Sequence, residues 1–375
     1  MDFRLTEDQE SIRDLARKIF EAEAGEESFK ALEKSGEWMN QPLWQALGQS
    51  ELLGVVTPVE YGGASMGLTE LSILLHEQGR VAAPIPLAWS AGLSAMTLTR
   101  FGTDAQKDGY LRQMASGSLI VTVGLSEVAA VDVCEPQMQA VRSGTGFVLT
   151  GEKTAVPALG VASKVIVSAQ VGEEGVGLFI LDREADGVTY QPQTSTSGEP
   201  LGLLTFEEAR LDGDALIGEV GTETVTWVTE RAWALLCALQ LGVSEKQLEM
   251  TAAYAKTREQ FGQPIGAFQA VSQRAGDAYI DLEAMRVSAQ QAIWRLESDL
   301  PATEEVLTAR YWSSEAGFRI SASAQHLHGG MGFDCDYPLY RFTLMTRQTE
   351  LVLGGAQQTL ARLGAAMVEG MTARG

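Results

Sequence analysis

The sequence predicts a mainly α-helical protein with a β domain in the middle of the chain. Apolar residues recur at helical spacing in the first third, short β-rich runs follow, and long helical patterns return after them. A chain of 375 residues exceeds one ordinary domain, so two or three packed units are expected. We place the helical N-terminal domain at 1–118, the middle β domain at 119–218 and the C-terminal helices at 219–375.

The N-terminal third, from Leu5 to about Ser116, has the period of amphipathic helices. Several glycines and one proline between Gly54 and Gly67 interrupt the pattern and predict a loop there. The apolar positions that carry the period are Ile12, Leu15 and Ile19, followed by Leu68, Leu71, Leu74 and Leu75.

The middle segment changes to short runs rich in β-branched and aromatic residues, at 147–151, 164–168 and 176–181. Glycine and proline lie between these runs, as in a domain of short strands. From Val220 onward, long segments with mixed apolar and charged residues return. Their apolar positions suit long helices packed side by side, and include Tyr254, Ile280, Leu282, Met285 and Ile293.

The charge balance narrows the possible partners. A formal net charge of −21 at pH 7 repels the phosphates of nucleic acid and of anionic membranes, so we expect neither as a partner. No apolar run approaches the roughly 20 residues that span a bilayer, and the first residues lack the basic and apolar regions of a signal peptide. We therefore expect a cytoplasmic protein, in which any anionic cofactor needs locally concentrated donors.

Cysteines and histidines are few and scattered. No CxxC spacing occurs, so neither a disulfide framework nor a zinc site is indicated. We expect a site without metal. The residues are Cys134, Cys237, Cys335, His76, His326 and His328.

Four segments resemble acyl-CoA dehydrogenases, in the same order from end to end. The most specific is an Arg-x-x-Phe-Gly pattern that begins at Arg258, at the end of a predicted long helix, and is followed by Phe268-Gln269. The four segments are Phe-Arg-Leu-Thr-Glu-Asp-Gln at 3–9, Pro-Val-Glu-Tyr-Gly-Gly at 58–63, Ala-Lys-Thr-Arg-Glu-Gln-Phe-Gly-Gln-Pro-Ile at 255–265 and Leu-His-Gly-Gly-Met-Gly-Phe at 327–333.

The resemblance implies an acyl-CoA dehydrogenase-like fold: an N-terminal helical domain, a β-barrel-like middle domain and a C-terminal four-helix bundle. It also implies a flavin enzyme that desaturates an acyl-CoA thioester. In that reaction a carboxylate in a dry pocket removes the α proton, while FAD accepts the β hydride. Electron-transferring flavoprotein is the electron acceptor that the resemblance implies.

In this family FAD lies at a subunit interface, and one half of such a site is recognisable here. Arg258 matches an arginine whose planar fork suits the FAD diphosphate. Gln260 and Phe261 match positions beside the adenosine half, and Gly329 and Gly330 match a pair that lets backbone approach the cofactor. The structural alternative is that Arg258 is a helix-end cation and that the glycines only permit a tight turn.

His326 is a departure from the family pattern. It stands where the family usually has glutamine, and Gln325 is displaced by one position. We include His326 among the FAD-binding residues, with a weakened adenosine contact. A lone histidine beside a glycine pair is otherwise most often a structural residue.

The other half of the FAD site, which meets the flavin ring in this family, is not recognisable in this sequence. The family's Thr-Glu-Pro-Gly-x-Gly-Ser-Asp-like loop corresponds to 125–132, which reads Leu-Ser-Glu-Val-Ala-Ala-Val-Asp. Gly151-Glu152-Lys153 is kept, but Ala155 replaces an aromatic residue and Pro157 replaces a hydroxyl. Proline donates no backbone hydrogen bond and alanine cannot cover a flavin face, so both changes point away from a flavin ring in this chain's own pocket.

The catalytic base also looks lost. The two positions that hold it in the family correspond to Leu353 and Ala232, and neither side chain takes a proton. Glu230 is a weak candidate, because two residues on a helix are about 200° apart. Its structural alternative is a first-turn carboxylate favoured by the helix dipole. Glu350 would lie about 60° from Leu353 if that segment were helical.

The chain keeps the half of the FAD site that one subunit contributes to its neighbour's cofactor, and it lacks the half that holds the flavin ring. This combination suits a subunit that completes its partner's site. The chain resembles the base-lacking companion in bacterial α2β2 acyl-CoA dehydrogenases of sterol and steroid side-chain degradation. A second dehydrogenase-like subunit is then the expected partner, and a steroid-CoA the sharper substrate hypothesis. The alternatives are a self-sufficient homotetramer that uses Glu230 or another base, and a flavin-free scaffold or binding protein of the same fold.

Overall fold

The computed structural model describes residues 3–128, 130 and 132–372, with the backbone alone for 369–372. The chain divides into two compact units. The first unit contains the residues up to Glu21, Ser72–Ala83 and the chain from Trp233 onward. The second contains Ala22–Leu71 and Pro84–Ala232.

Helices occupy the chain before the β domain, as predicted. Local sequence explains several of their ends. Asn40 caps α3 by accepting the Leu43 N–H, and Thr103 forms a capping box with Gln106 at the start of α6. The helices are α1 (Glu7–Glu23), α2 (Glu26–Ser35), α3 (Gln41–Gln49), α4 (Leu68–Val81), α5 (Ala95–Phe101) and α6 (Asp104–Ala115).

The middle segment forms one eight-stranded sheet in the order β6-β7-β3-β2-β4-β5-β8, with β1 paired to β4. Its core is built from the inward-facing apolar residues of β2 to β7, including Phe147, Phe179 and Phe206. The strands are β1 (Val121–Gly124), β2 (Gln139–Ser143), β3 (Gly146–Val156), β4 (Lys164–Val171), β5 (Gly175–Asp182), β6 (Val188–Thr194), β7 (Pro200–Leu211) and β8 (Leu216–Ile217).

Long helices follow the sheet. Leu282 and Met285 of one helix pack with Ile320 of another in a common core. The elements are α7 (Thr222–Thr257), the short strands β9 (Glu259–Gln260) and β10 (Gln263–Pro264), α8 (Gln269–Glu297), α9 (Thr303–His328), α10 (Leu339–Leu351) and α11 (Ala356–Thr372).

The predicted order of helices, β domain and helices is confirmed. The element type changes at 116–120 and again at 218–221, and the domain division at 118/119 and 218/219 stays our proposal. Among the described residues, no helix combines the length and the apolar character needed to cross a membrane.

Candidate functional site

The Arg258 motif forms a tight hairpin directly after α7. Strands β9 and β10 pair antiparallel, with Gln260 opposite Gln263. The two residues between them, Phe261 and Gly262, both have left-handed backbones, with φ of 55° and 81°. Two consecutive residues with positive φ are the mark of a two-residue hairpin turn whose twist matches its strands.

Phe261 is strained and exposed at the tip of this hairpin. A bulky residue in the left-handed region costs about 1–2 kcal/mol relative to the right-handed one. The side chain is nevertheless 93% exposed, and its ring has an edge contact with Phe268 at 6.0 Å between centroids. Strain at a position that buries so little surface points to a function outside the single chain.

The Arg258 backbone is hydrogen-bonded within the chain, whereas its side chain is exposed. Its N–H donates to the Tyr254 carbonyl and its own carbonyl accepts from Ile265 N–H, both at 2.8 Å. Within the described part of the chain, the exposed guanidinium has no hydrogen-bond or ion-pair partner. Its five donors therefore remain available for an anion. Gln260 is also exposed, and its side-chain amide donates to the Glu259 carbonyl at 2.8 Å.

The glycine pair follows the C-terminus of α9. Gly329 has φ of 59° and donates its N–H back to the Gln325 carbonyl. A β-carbon added at Gly329 or Gly330 would meet no described atom within 4 Å, so packing does not require glycine there. Only the positive φ of Gly329 favours glycine within the chain, which leaves room for a ligand to approach this turn. His326 is exposed on the last turn of α9.

Three aromatic side chains, whose mutual contacts no sequence motif predicts, join these two segments in the first unit. The Tyr254 and His328 rings stack at 4.4 Å. His328 Nδ1 lies 2.8 Å from the Ala324 carbonyl, and its Nε2 lies 3.2 Å from the Tyr337 hydroxyl. Burial lowers the pKa of His328 below its ordinary value, so the ring is neutral at pH 7.

In the second unit, a buried ion pair holds the loop that follows β1. Lys153 Nζ lies 2.5 Å from Glu127 Oε1 and donates to Ser168 Oγ at 3.0 Å. The Glu127 carboxylate also accepts the N–H groups of Gln137 and Met138. Burial lowers the pKa of Lys153 to about 8, against the opposing effect of Glu127. Within this loop, Ala129 and Val131 lie outside the described residues.

The backbone near the end of β3 bulges, and its N–H groups at Thr154 and Ala155 are hydrogen-bonded within the chain. A register shift interrupts the β3–β7 pairing between Lys153 and Val156, and Ala155 has φ of 49°. Gln193 of β6 accepts the Ala155 N–H at 2.9 Å and donates to the Thr154 hydroxyl at 3.1 Å. The Ala155 N–H that this bulge could offer to a flavin is therefore already used by the protein.

One of the two predicted base positions, Leu353, lies just after the end of α10. Leu353 is buried with φ of 57°, and its carbonyl accepts from Trp233 Nε1 at 3.0 Å. Arg310 Nη2 donates to three carbonyls of the same turn, those of Glu350, Val352 and Gly354, at 2.8–3.1 Å. The backbone of this turn is therefore held by several hydrogen bonds. The Leu353 side chain, however, is a hydrocarbon and cannot take a proton.

Glu350 does not stand on a helix with Leu353. Because α10 ends at Leu351, the 60° helical angle considered above does not apply. The Glu350 carboxylate lies 2.5 Å from Arg347 Nη1. Burial raises the pKa of Glu350 against the opposing effects of Arg347 and Arg310.

The other base position, Ala232, is buried within α7. Glu230 is half-buried on the same continuous helix, so the separation of about 200° from Ala232 stands. The first-turn interpretation of Glu230 is wrong, because α7 begins eight residues earlier, at Thr222.

Known proteins match the chain over almost its whole length. Residues 6–118 match the N-terminal domain of acyl-CoA dehydrogenases and residues 220–368 match the C-terminal domain. The chain belongs to the acyl-CoA dehydrogenase family. It is 35% identical to acyl-CoA dehydrogenase FadE27 of Mycobacterium tuberculosis (strain ATCC 25618 / H37Rv), over 98% of this chain and 99% of that protein.

Two solved acyl-CoA dehydrogenase structures extend the match. A single-residue variant of the steroid acyl-CoA dehydrogenase Tcur3481-Tcur3483 contains a chain 38% identical, with a TM-score of 0.92. The ChsE4-ChsE5 complex from Mycobacterium tuberculosis contains one 36% identical, with a TM-score of 0.93. Each match covers 98% of this chain and 99% of the other. The predicted fold is confirmed, and the chain is a member of a family of FAD-dependent oxidoreductases.

The residues present fit one half of a bound FAD. Arg258 offers donors that no described residue uses, Phe261 offers an exposed ring and Gly329 an open approach. The bulge at Ala155 does not fit the flavin ring, because its N–H is already bonded to Gln193. We call the first group, residues 258–262 with Gly329 and Gly330, the donated half-site.

Proposed function

We propose that this chain is the subunit of a heteromeric acyl-CoA dehydrogenase that lacks the catalytic base and contributes its donated half-site to FAD held by a partner chain. The observation that carries the proposal is the Arg258 hairpin. Its guanidinium is exposed without a partner among the described residues, and its tip holds a strained, exposed Phe261. Both features are explained if a second chain holds an anionic cofactor that contacts this hairpin.

The side chains of this subunit determine which roles we assign to it and which to the partner chain. FAD, when bound, supplies the hydride acceptor for α,β-desaturation of an acyl-CoA thioester. Removal of the α proton needs a base, and Leu353 and Ala232 offer none at the two expected positions. We assign the base to the partner chain. Arg258 then neutralises diphosphate charge, which matters in a chain of net charge −21.

The partner and substrate that we propose are suggested by the similar solved structures. Two of the similar structures are described by two components each, Tcur3481-Tcur3483 and ChsE4-ChsE5, and the first is described as a steroid acyl-CoA dehydrogenase. We therefore propose an α2β2 assembly acting on a steroid side-chain CoA in the cytoplasm. Electron-transferring flavoprotein is proposed as the acceptor by family resemblance.

The test is co-expression with a dehydrogenase-like chain that carries the missing glutamate, such as one encoded by a neighbouring gene. We expect the single chain to purify without FAD or dehydrogenase activity, and the complex to hold one FAD per pair of unlike chains. Arg258→Ala should weaken FAD binding to the complex at least about tenfold, since charge-assisted hydrogen bonds to one guanidinium are lost. Released-flavin absorbance and equilibrium dialysis measure both quantities.

Arg274→Ala is the matched control, because Arg274 is another exposed arginine of the first unit. It should leave FAD binding unchanged. Full activity from the isolated chain, abolished by Glu230→Gln, would instead establish the self-sufficient homotetramer. FAD binding that is indifferent to Arg258→Ala would support the scaffold alternative.

A further inference from the structure

The two parts of the donated half-site follow different helices, α7 and α9. The residues at the ends of these helices are nevertheless in contact. The hairpin begins four residues after Tyr254, whose carbonyl accepts the Arg258 N–H at 2.8 Å. The glycine turn begins directly after His328, at the end of α9. The Tyr254 and His328 rings stack at 4.4 Å, so the residues that precede the two segments are in direct contact.

His328 also closes the loop that contains the glycine pair. Its Nε2 lies 3.2 Å from the Tyr337 hydroxyl, so residues 328 and 337 hold the two ends of the loop 329–336 together. Within the loop, a β-carbon on Gly332 would lie 3.4 Å from the His328 β-carbon. The loop therefore lies directly against the histidine that precedes it.

The protonation state of His328 is determined by its neighbours. The Ala324 carbonyl has only lone pairs, so Nδ1 carries the proton and donates to it at 2.8 Å. In the neutral ring, Nε2 is then an acceptor and the Tyr337 hydroxyl is its donor. With one donor, one acceptor and a stacked face, the ring has a single orientation.

We infer that His328 is a positioning residue, which sets the spacing between the Arg258 hairpin and the glycine turn through Tyr254 and Tyr337. The inference rests on the proposed function for its consequence, because a dinucleotide diphosphate needs donors from both segments at one distance. The coupling itself is a property of this chain alone.

Hydrogen exchange of the full-length single chain, measured by mass spectrometry, tests the coupling. Tyr337→Phe removes one hydroxyl, and we expect about fivefold faster exchange in 329–336 with no change in 258–266. His328→Asn keeps a donor for the Ala324 carbonyl but removes the stacked ring. Exchange should then rise about fivefold or more in both segments.

Substitutions on the other side of the stack check the same coupling without touching His328. Tyr254→Leu should accelerate exchange in both segments, whereas Tyr254→Phe keeps the ring and should change neither. Unchanged protection of peptides from α8 shows that each variant is folded. If His328→Asn and Tyr254→Leu each affect only the segment next to the altered residue, the inference is overturned.

FAD binding by the co-expressed complex separates this inference from the proposed function. We expect His328→Asn to weaken FAD binding about fivefold or more, and Tyr254→Phe to leave it unchanged. Coupled exchange with undiminished FAD binding would refute the positioning role and leave only a structural contact. Loss of FAD in Arg258→Ala but not in His328→Asn would refute it while sparing the proposed function.

Discussion

At the scale of single residues, the Lys153–Glu127 pair illustrates how a charge is kept inside a β domain. Lys153 is fully buried and its side chain lies 2.5 Å from the Glu127 carboxylate. Ser168 adds a hydrogen bond to the ammonium, and two backbone N–H groups add hydrogen bonds to the carboxylate. Such a pair survives burial because every polar atom finds a partner.

We predict that Lys153→Met destabilises the protein by about 3–5 kcal/mol, because it leaves the Glu127 carboxylate buried without its counterion. The double variant Lys153→Met with Glu127→Leu should be markedly more stable than the sum of the two single changes predicts. Urea unfolding followed by circular dichroism measures each free energy.

Lys164→Met provides the control for this cycle. Lys164 pairs with the exposed Asp182, and loss of a surface pair costs about 1 kcal/mol or less. Equal losses for Lys153→Met and Lys164→Met would contradict the assignment of Lys153–Glu127 as a buried structural pair.

At the scale of elements, the β9–β10 hairpin holds the exposed ring of Phe261 on a left-handed backbone, which lowers the stability of the fold. Asparagine adopts the left-handed conformation more readily than phenylalanine. We therefore predict that Phe261→Asn raises the free energy of unfolding of the isolated chain by about 0.5–1 kcal/mol. The same change should lower FAD retention by the complex, because it removes the exposed ring that we propose to lie beside the adenosine half.

Glu208 is a matched control for the hairpin. It is exposed and has φ of 54° on β7, so Glu208→Asn should relieve comparable strain while FAD retention stays constant. A Phe261→Asn variant that keeps all of its FAD would show that the hairpin tip does not serve the cofactor. Chemical denaturation and flavin absorbance supply the two measurements.

At the scale of the whole molecule, an ion network joins four helices of the first unit. Glu245 of α7 lies 3.3 Å from His76 of α4 and 2.6 Å from Arg286 of α8. Arg17 of α1 joins through Glu77, at 2.8 Å. Burial opposes charge on Glu245, but His76 and Arg286 hold its pKa well below the ordinary 4.5. Burial likewise opposes charge on His76, whose pKa is raised by Glu245 and Glu77.

The network predicts how stability depends on pH. A carboxylate with a depressed pKa stabilises the folded state fully above its unfolded pKa of about 4.5, and this stability is lost as pH falls through the folded value. We predict that Glu245→Gln costs about 3 kcal/mol at pH 7 and shows a smaller further loss between pH 5 and pH 3 than the wild type. Urea unfolding across this range gives the comparison.

Glu283→Gln is the corresponding control, because the Glu283 side chain that pairs with Arg286 is 42% exposed. Its replacement should cost about 1 kcal/mol or less. Parallel acid profiles for the wild type and Glu245→Gln would rule out Glu245 as the source of the acid sensitivity. His76 acts in the opposite range: its raised pKa stabilises the fold below about 6.5, and this contribution is lost as pH rises through the folded value.

The sequence by itself determined the order of helices, sheet and helices, and the family, through motifs whose meaning is local. The Phe-Gly turn after Arg258 is one of them, since two residues decide its conformation. The absence of a base at Leu353 and Ala232 was also readable from residue identity alone.

Only the tertiary structure decided which groups face one another. Glu127 is 26 positions from Lys153, Gln193 is 38 positions from Ala155, and Tyr254 meets His328 across two helices. Periodicity predicts which face of an element is buried, but the partner across that face depends on strand register and helix packing. For that reason the donated half-site was predicted from motifs, whereas the stacked rings that join its two parts emerged only from the packing of α7 against α9.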